Sequence, residues 1–155
     1  MKKSININVN NKPYKLSVEP NQTLLEILRI QLGLTGAKVG CNMGDCGACT
    51  VIMDGKPVNS CLVLAVQANG RNILTIEGVE TEQGIHPLQQ AFIDKGAIQC
   101  GFCTPGIILS AKSLLENNPE ANEKEIREAI SGNLCRCTGY QKIVEAIQSV
   151  SEKNS

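Results

Sequence analysis

The chain has 155 residues, with 15 basic and 15 acidic side chains and a formal net charge of zero, a length that suits one ordinary domain or two small ones. Two Tyr, two Phe and no Trp, without a basic stripe, argue against nucleic-acid binding, and no apolar run nears the roughly 18 residues of a membrane span. Eight cysteines are the feature to be explained.

Behind Met1-Lys2-Lys3, residues 4 to 10 alternate apolar Ile5, Ile7 and Val9 with Asn6, Asn8 and Asn10, the period of a half-buried strand. That alternation lacks the continuous apolar core of a secretory signal, so a cytoplasmic protein is expected. Asn10-Asn11-Lys12-Pro13 is turn chemistry, and Tyr14, Leu16 and Val18 alternate again, which predicts a hairpin. After Pro20-Asn21, Thr23-x-x-Glu26 is a capping box. It opens a helix to about Leu32, with Leu24, Leu25, Ile27, Leu28 and Leu32 as its apolar face and Gly33 as its stop.

Next comes Cys41-Asn42-Met43-Gly44-Asp45-Cys46-Gly47-Ala48-Cys49. These three cysteines have the C-x4-C-x2-C spacing of plant-type [2Fe-2S] ferredoxins, in which a fourth follows further on. Gly40, Gly44 and Gly47 suit a loop whose backbone N–H groups must approach sulfur closely. Thr50-Val51-Ile52-Met53 reads as a strand, and Asp54-Gly55 is a strong hairpin signal that returns Cys61 towards the loop. A short helical run (Leu62, Val63, Ala65, Val66) and a strand (Ile73, Leu74, Ile76) follow. Strands flanking one helix predict a β-grasp domain over residues 1–78, and the polar stretch 77–84 reads as a linker.

Residues 79–155 read as helices. Pro87 opens one carrying Leu88, Ala91 and Phe92, and Gly96 closes it ahead of Gln99-Cys100-Gly101-Phe102-Cys103-Thr104-Pro105-Gly106. Thr104 is expected as N-cap and Pro105 as first residue of a helix with Ile107, Ile108, Ala111, Leu114 and Leu115 inward, ending before Pro119. Asn122-x-x-Glu125 caps a third helix with Ile126, Ala129 and Ile130. Cys135-Arg136-Cys137 then precedes Thr138-x-x-Gln141, a further capping box, and Tyr140, Ile143, Val144, Ile147 and Val150 line a fourth helix. Thirty-one residues separate Cys103 from Cys135, so a helical hairpin would bring the two cysteine pairs together as a four-thiolate metal site. Helix N-termini aimed at it would favour its negative charge, and a metal centre would help to staple so small a bundle.

Cysteine clusters also suit other chemistry. Disulfides suit exported chains of higher cysteine density, and two four-cysteine zinc sites suit thiolates too, although structural zinc usually takes C-x2-C knuckles. His86, in the polar linker, is expected to be a surface residue. Glu120, Glu123, Lys124, Glu125, Arg127 and Glu128 are expected to form a wet helix face. No Ser/His/Asp arrangement and no phosphate loop is visible, so the chain is expected to lack substrate chemistry of its own.

The segments GCNMGDCGACTV with Cys61, QCGFCTPG and GNLCRCTGYQ together resemble the small iron-sulfur subunit of the molybdenum hydroxylases, the family of xanthine dehydrogenase, aldehyde oxidoreductase and carbon monoxide dehydrogenase. The resemblance runs from about Ile5 to Val150. It implies an α+β chain: an N-terminal β-grasp, ferredoxin-like domain with one [2Fe-2S] cluster on Cys41, Cys46, Cys49 and Cys61, then an all-α four-helix domain with a second on Cys100, Cys103, Cys135 and Cys137. It also implies that Gln99 and Cys137 contact the molybdopterin of a large partner subunit, and that a medium subunit carries FAD. Electrons would pass from the molybdenum cofactor through both clusters to the flavin or another acceptor. Arg136, between two ligands, is a candidate for tuning the second cluster. The stretches 65–70 and 140–144 look most like the carbon monoxide and xanthine branches. A free two-cluster electron carrier is the competing function, and a zinc-stapled interaction protein a third.

Overall fold

The computed structural model describes residues 1–153; residues 154 and 155, the end of the expected second domain, lie outside the described residues. Five strands form one sheet in the order β2-β1-β5-β3-β4. Strands β1 (Lys3–Val9) and β2 (Lys12–Val18) pair antiparallel, with Ile5 opposite Leu16 and Ile7 opposite Tyr14. Their connection is only Asn10-Asn11, at φ 52° and 63°, the left-handed pair of a two-residue hairpin. Lys12 and Pro13 belong to β2 rather than to the turn. Strands β3 (Thr50–Met53) and β4 (Lys56–Asn59) pair antiparallel across Asp54-Gly55, at φ 49° and 83°.

Strand β5 (Asn72–Leu74) lies between β1, to which it is parallel, and β3, to which it is antiparallel. The strand expected to reach Ile76 stops short, because Asn10 holds Thr75 on both sides. Thr75 N donates to Asn10 Oδ1 at 2.9 Å and Asn10 Nδ2 donates to Thr75 Oγ1 at 2.9 Å. Residues Ile76–Gly78 then coil into a 3-10 turn.

The helix after β2 starts as expected. Thr23 Oγ1 accepts from Glu26 N at 3.2 Å, and the Glu26 carboxylate accepts from Thr23 N at 2.7 Å, which satisfies two orphan donors. Only α1 (Leu24–Glu26) is regular, however. The next five residues, Ile27–Gln31, form a π turn in which Leu32 N donates to Ile27 O, in place of the α-helix expected to Leu32. Leu24, Leu25, Ile27 and Leu28 are all buried against Ile5, Ile7, Val9, Val51 and Ile73. Likewise the helical run expected near Leu62 is a pair of 3-10 turns, Ser60–Leu62 and Ala65–Ala68.

Helices α2 (Pro87–Asp94), α3 (Thr104–Asn117), α4 (Glu123–Ala129) and α5 (Gln141–Lys153) bury a second core. Its members include Leu88, Phe92, Ile107, Ile108, Ile126, Ile130, Ile143 and Ile147, as their 3.6-residue spacing requires. The polar stretch between the cores is pinned, since Val79 is 2% exposed and packs with Ile52 of β3 and Leu109 of α3. Burying one valine contributes about 1.5–3 kcal/mol, enough to hold a short strap. The chain is thus α+β, with a β-grasp sheet followed by four helices. Among the described residues no helix is long and apolar enough to cross a membrane.

Candidate metal centres

The first four cysteines meet around the loop that precedes β3. Cys41 Sγ accepts from the backbone N–H of Met43 (3.4 Å), Asp45 (3.2 Å) and Cys46 (3.3 Å), while Cys46 Sγ accepts from Cys41 N (3.3 Å) and Ala48 N (3.5 Å). To aim so many donors inward the chain turns through the left-handed region at Asn42, Gly44 and Gly47. A Cβ on Gly40 would stand 2.5 Å from Cys46 Sγ, so only glycine leaves room for the sulfur. The N–H groups, that of Met43 first, hold the Cys41 thiol down at about 6, where the thiolate that ligates metal is the prevailing form near neutral pH. Behind this pair lie Cys49 and Cys61, both buried. Burial pushes Cys61 up to about 11, and the adjacent Cys49 and Cys41 thiols add to the effect.

The second four meet at the start of α3. Cys100 and Cys137 are exposed, with their sulfurs 3.5 Å apart. Cys103 and Cys135 lie deeper. Burial pushes Cys103 up to about 12, with the neighbouring Cys135 and then Cys100 contributing. Burial opposes ionisation of Cys135 as well, but the Thr138 hydroxyl, 3.1 Å from its sulfur, and the N–H groups of Thr138 and Cys137 bring it below its ordinary value.

Two helix starts depart from the expected caps. Cys103, not Thr104, occupies the N-cap of α3: Ile107 N donates to Cys103 O at 3.1 Å, so helical bonding begins one residue early and Thr104 is already inside. The Thr138-x-x-Gln141 box does not form. The Thr138 hydroxyl is taken by Cys135 Sγ and by Tyr140 N (3.2 Å), and Gln141, first residue of α5, bonds Arg127 (3.2 Å) and Glu145 (2.9 Å) through its side chain. Helix α5 still starts close behind Cys137, with Val144 N donating to Tyr140 O at 2.9 Å, but without the expected cap.

Gln99 is exposed beside Cys100, and its amide has no hydrogen-bond partner among the described residues. Phe102 and Leu134, 46% and 54% exposed, share this end of the molecule. Arg136 is exposed and forms no ion pair among the described residues. His86 is not an idle surface residue: its Nδ1 accepts from Leu88 N at 3.1 Å, capping α2. Three residues near the sulfurs have roles that the sequence does not announce, Tyr140 among them, whose spacing speaks only for the apolar face of the fourth helix. Tyr140 Oη accepts from Cys135 N (2.7 Å) and donates to Asn133 O (3.1 Å), and Asn133 and Leu134 reach the first loop. Only their place in the GNLCRCTGYQ segment hinted at them.

No cysteine is in a disulfide. Among the described residues no three or more Cys, His, Asp or Glu side chains form a group that could hold a single ion. The sulfurs stand instead as neighbours in pairs, Cys41 with Cys46, Cys49 with Cys61, Cys100 with Cys137 and Cys103 with Cys135. An all-sulfur donor set of two pairs, with N–H groups directed at it, fits a dinuclear iron-sulfur group that takes two thiolates on each iron.

Comparison with known proteins agrees. Residues 7–75 match the 2Fe-2S iron-sulfur cluster binding domain, and residues 75–148 match the [2Fe-2S] binding domain. The nicotinate dehydrogenase small FeS subunit of Eubacterium barkeri is 51% identical over 150 residues, covering 97% of this chain and 96% of that protein. The xanthine dehydrogenase iron-sulfur-binding subunit of Escherichia coli O157:H7 is 45% identical, covering 93% and 91%. The structure of quinoline 2-oxidoreductase from Pseudomonas putida 86 superposes with a TM-score of 0.94 at 46% identity, over 99% of this chain and 96% of that one. Two cysteine quartets, the sheet-then-helices architecture and this similarity along nearly the whole length have one meaning: the chain belongs to the family of small iron-sulfur subunits of the molybdenum hydroxylases, and its role is electron transfer within such an oxidoreductase complex.

Proposed function

We propose that Cys41, Cys46, Cys49 and Cys61 hold one [2Fe-2S] cluster within residues 1–78, and that Cys100, Cys103, Cys135 and Cys137 hold another within residues 79–155. The observation that carries this is the pairing of the sulfurs described above, together with backbone N–H donors converging on Cys41 and Cys46. Following the pairs, Cys41 and Cys46 would hold one iron and Cys49 and Cys61 the other, and likewise Cys100 with Cys137 and Cys103 with Cys135. When bound, each cluster takes up and gives back a single electron. What the chain supplies is the environment: N–H donors to thiolate favour the more negative, reduced state and so raise the potential.

The second quartet faces the large, molybdopterin-bearing subunit in this reading. Cys100 and Cys137 are exposed, and the unpartnered amide of Gln99 stands beside them, which suits contact of Gln99 and Cys137 with a pterin rich in donors and acceptors. The first quartet, with Met43 and Leu62 exposed near it, faces a medium subunit carrying FAD. Eight cysteines outside any disulfide suit the reducing cytoplasm. The relatives named above are called after nicotinate, xanthine and quinoline, so the substrate class we propose for the complex is a nitrogen heterocycle, chosen by the large subunit.

Metal analysis of the purified complex tests the reading. It requires about four irons for each copy of this chain, two for each four-thiolate site, and Mössbauer spectra of coupled iron pairs. Zinc in place of iron would sink it. Recovery of the chain with both clusters but without any molybdopterin-containing partner would favour a free electron carrier.

A further inference from the structure

Asn133 belongs to the loop before Cys135, yet its side chain works on the other quartet. It is 4% exposed, and its Nδ2 donates to Gly47 O at 3.1 Å and to Thr50 Oγ1 at 3.2 Å. Its Oδ1 accepts from Ser110 Oγ of α3 at 2.8 Å, which fixes which way the amide points. Gly47 O also accepts from Thr50 N (3.1 Å) and Thr50 Oγ1 (2.6 Å), so three donors converge on one carbonyl.

That carbonyl belongs to the Gly47–Ala48 peptide group, and the N–H of the same group is the one that donates to Cys46 Sγ at 3.5 Å. Hydrogen bonds through a peptide are cooperative: a donor on the oxygen polarises the group and strengthens what its N–H can give, by about 10–30% per bond. The peptide plane is also held from both sides. Gly47 has φ 72°, a Cβ on it would lie 2.3 Å from Gly132 O, and a Cβ on Gly106 would lie 2.5 Å from Gly47 O. The helical half therefore grips this peptide sterically through two glycines and electrically through one amide.

We infer that Asn133 is a positioning residue for the first cluster, by orienting and polarising the Gly47–Ala48 peptide so that its N–H supports the Cys46 thiolate and raises that cluster's potential. This rests on the assignment of Cys41, Cys46, Cys49 and Cys61 as its ligands. The helical half then does more than carry its own centre: it tunes its neighbour, and the second cluster is untouched by this contact. Buried glue between two halves predicts no such one-sided effect.

The test is an EPR-monitored redox titration of the whole complex, wild type against Asn133→Ala. At a fixed applied potential the reduced-to-oxidised ratio of the first cluster should fall three- to tenfold, tenfold being about 59 mV for a one-electron couple, with its g-values displaced and the second cluster's titration unmoved. An unchanged first cluster, or equal shifts in both, overturns the inference. If Asn133→Ala assembles without iron, Ser110→Ala decides, since it frees the amide without touching the first loop: a smaller shift in the same direction supports the role, and none refutes it. Iron content of the wild type keeps the two questions apart, because a wild type lacking the first cluster defeats the ligand assignment itself.

Discussion

The backbone N–H of Leu134 donates to the carbonyl of Cys46 at 2.9 Å. One hydrogen bond thus joins a cysteine of the first quartet to the residue just before Cys135 of the second, so main chain as well as side chains ties the two quartets together. Gly47, Gly106 and Gly132 make that approach possible.

Replacing Gly47 with alanine should break this joint. The residue sits at φ 72° and its new Cβ would meet the Gly132 carbonyl at 2.3 Å. Left-handed strain of about 1–3 kcal/mol and displacement of backbone should together lower stability by about 2–4 kcal/mol, read as a fall in the melting temperature of the loaded complex. Melting like wild type would show that the two halves tolerate separation.

Cys103→Ser should remove the second cluster alone. Iron should fall from about four to about two per chain, with the EPR signal of the first cluster retained on chemical reduction. Substrate should then no longer reduce the first cluster; unchanged intramolecular transfer in this variant would refute the proposed order of centres.

Tyr140→Phe tests the support of the second quartet. Losing the hydroxyl strands the N–H of Cys135 and the carbonyl of Asn133, a loss of about 1–2 kcal/mol at a partly buried site. The spectrum of the second cluster should shift while that of the first stays put, the mirror image of the Asn133 variant.

His86 should make the first turn of α2 sensitive to acid. Burial first, then Lys112, draw its pKa below the ordinary value, with Glu116 opposing, and the Nδ1 that would take the proton is the acceptor of the Leu88 N–H. Above the ordinary value of about 6.5 folded and unfolded chains are both neutral and the cap contributes in full. Below it the unfolded chain protonates first, so stability is lost progressively until the pH passes the lowered folded value. Hydrogen exchange at Leu88 and Gln89, corrected for intrinsic rates, should quicken as pH falls from about 7 to 5. His86→Asn, which keeps an acceptor and cannot protonate there, should abolish the trend.

Local chemistry was legible wherever the signal and its effect lie within a few residues. The capping boxes at Thr23 and Asn122, the Asp54-Gly55 hairpin and the apolar periods of α3 and α5 all fold as their spacing dictates. Local signals gave way where sulfur or a distant side chain competes for the same local group. Thr138 looks like a helix cap and serves Cys135 instead; Ile76 looks like strand until Asn10, far away in sequence, bends the chain at Thr75.

The sequence by itself determined where the eight cysteines cluster, at 41–49, 61, 100–103 and 135–137, and so which ligand sets are to be proposed, because such chemistry is written in short motifs. How the two sites touch was decided only by the fold. Asn133 and Gly47 are 86 positions apart, and no pattern along a chain states that one residue's amide will polarise another's peptide; that contact forms only after two hydrophobic cores have packed and pressed Ile52, Val79 and Leu109 together.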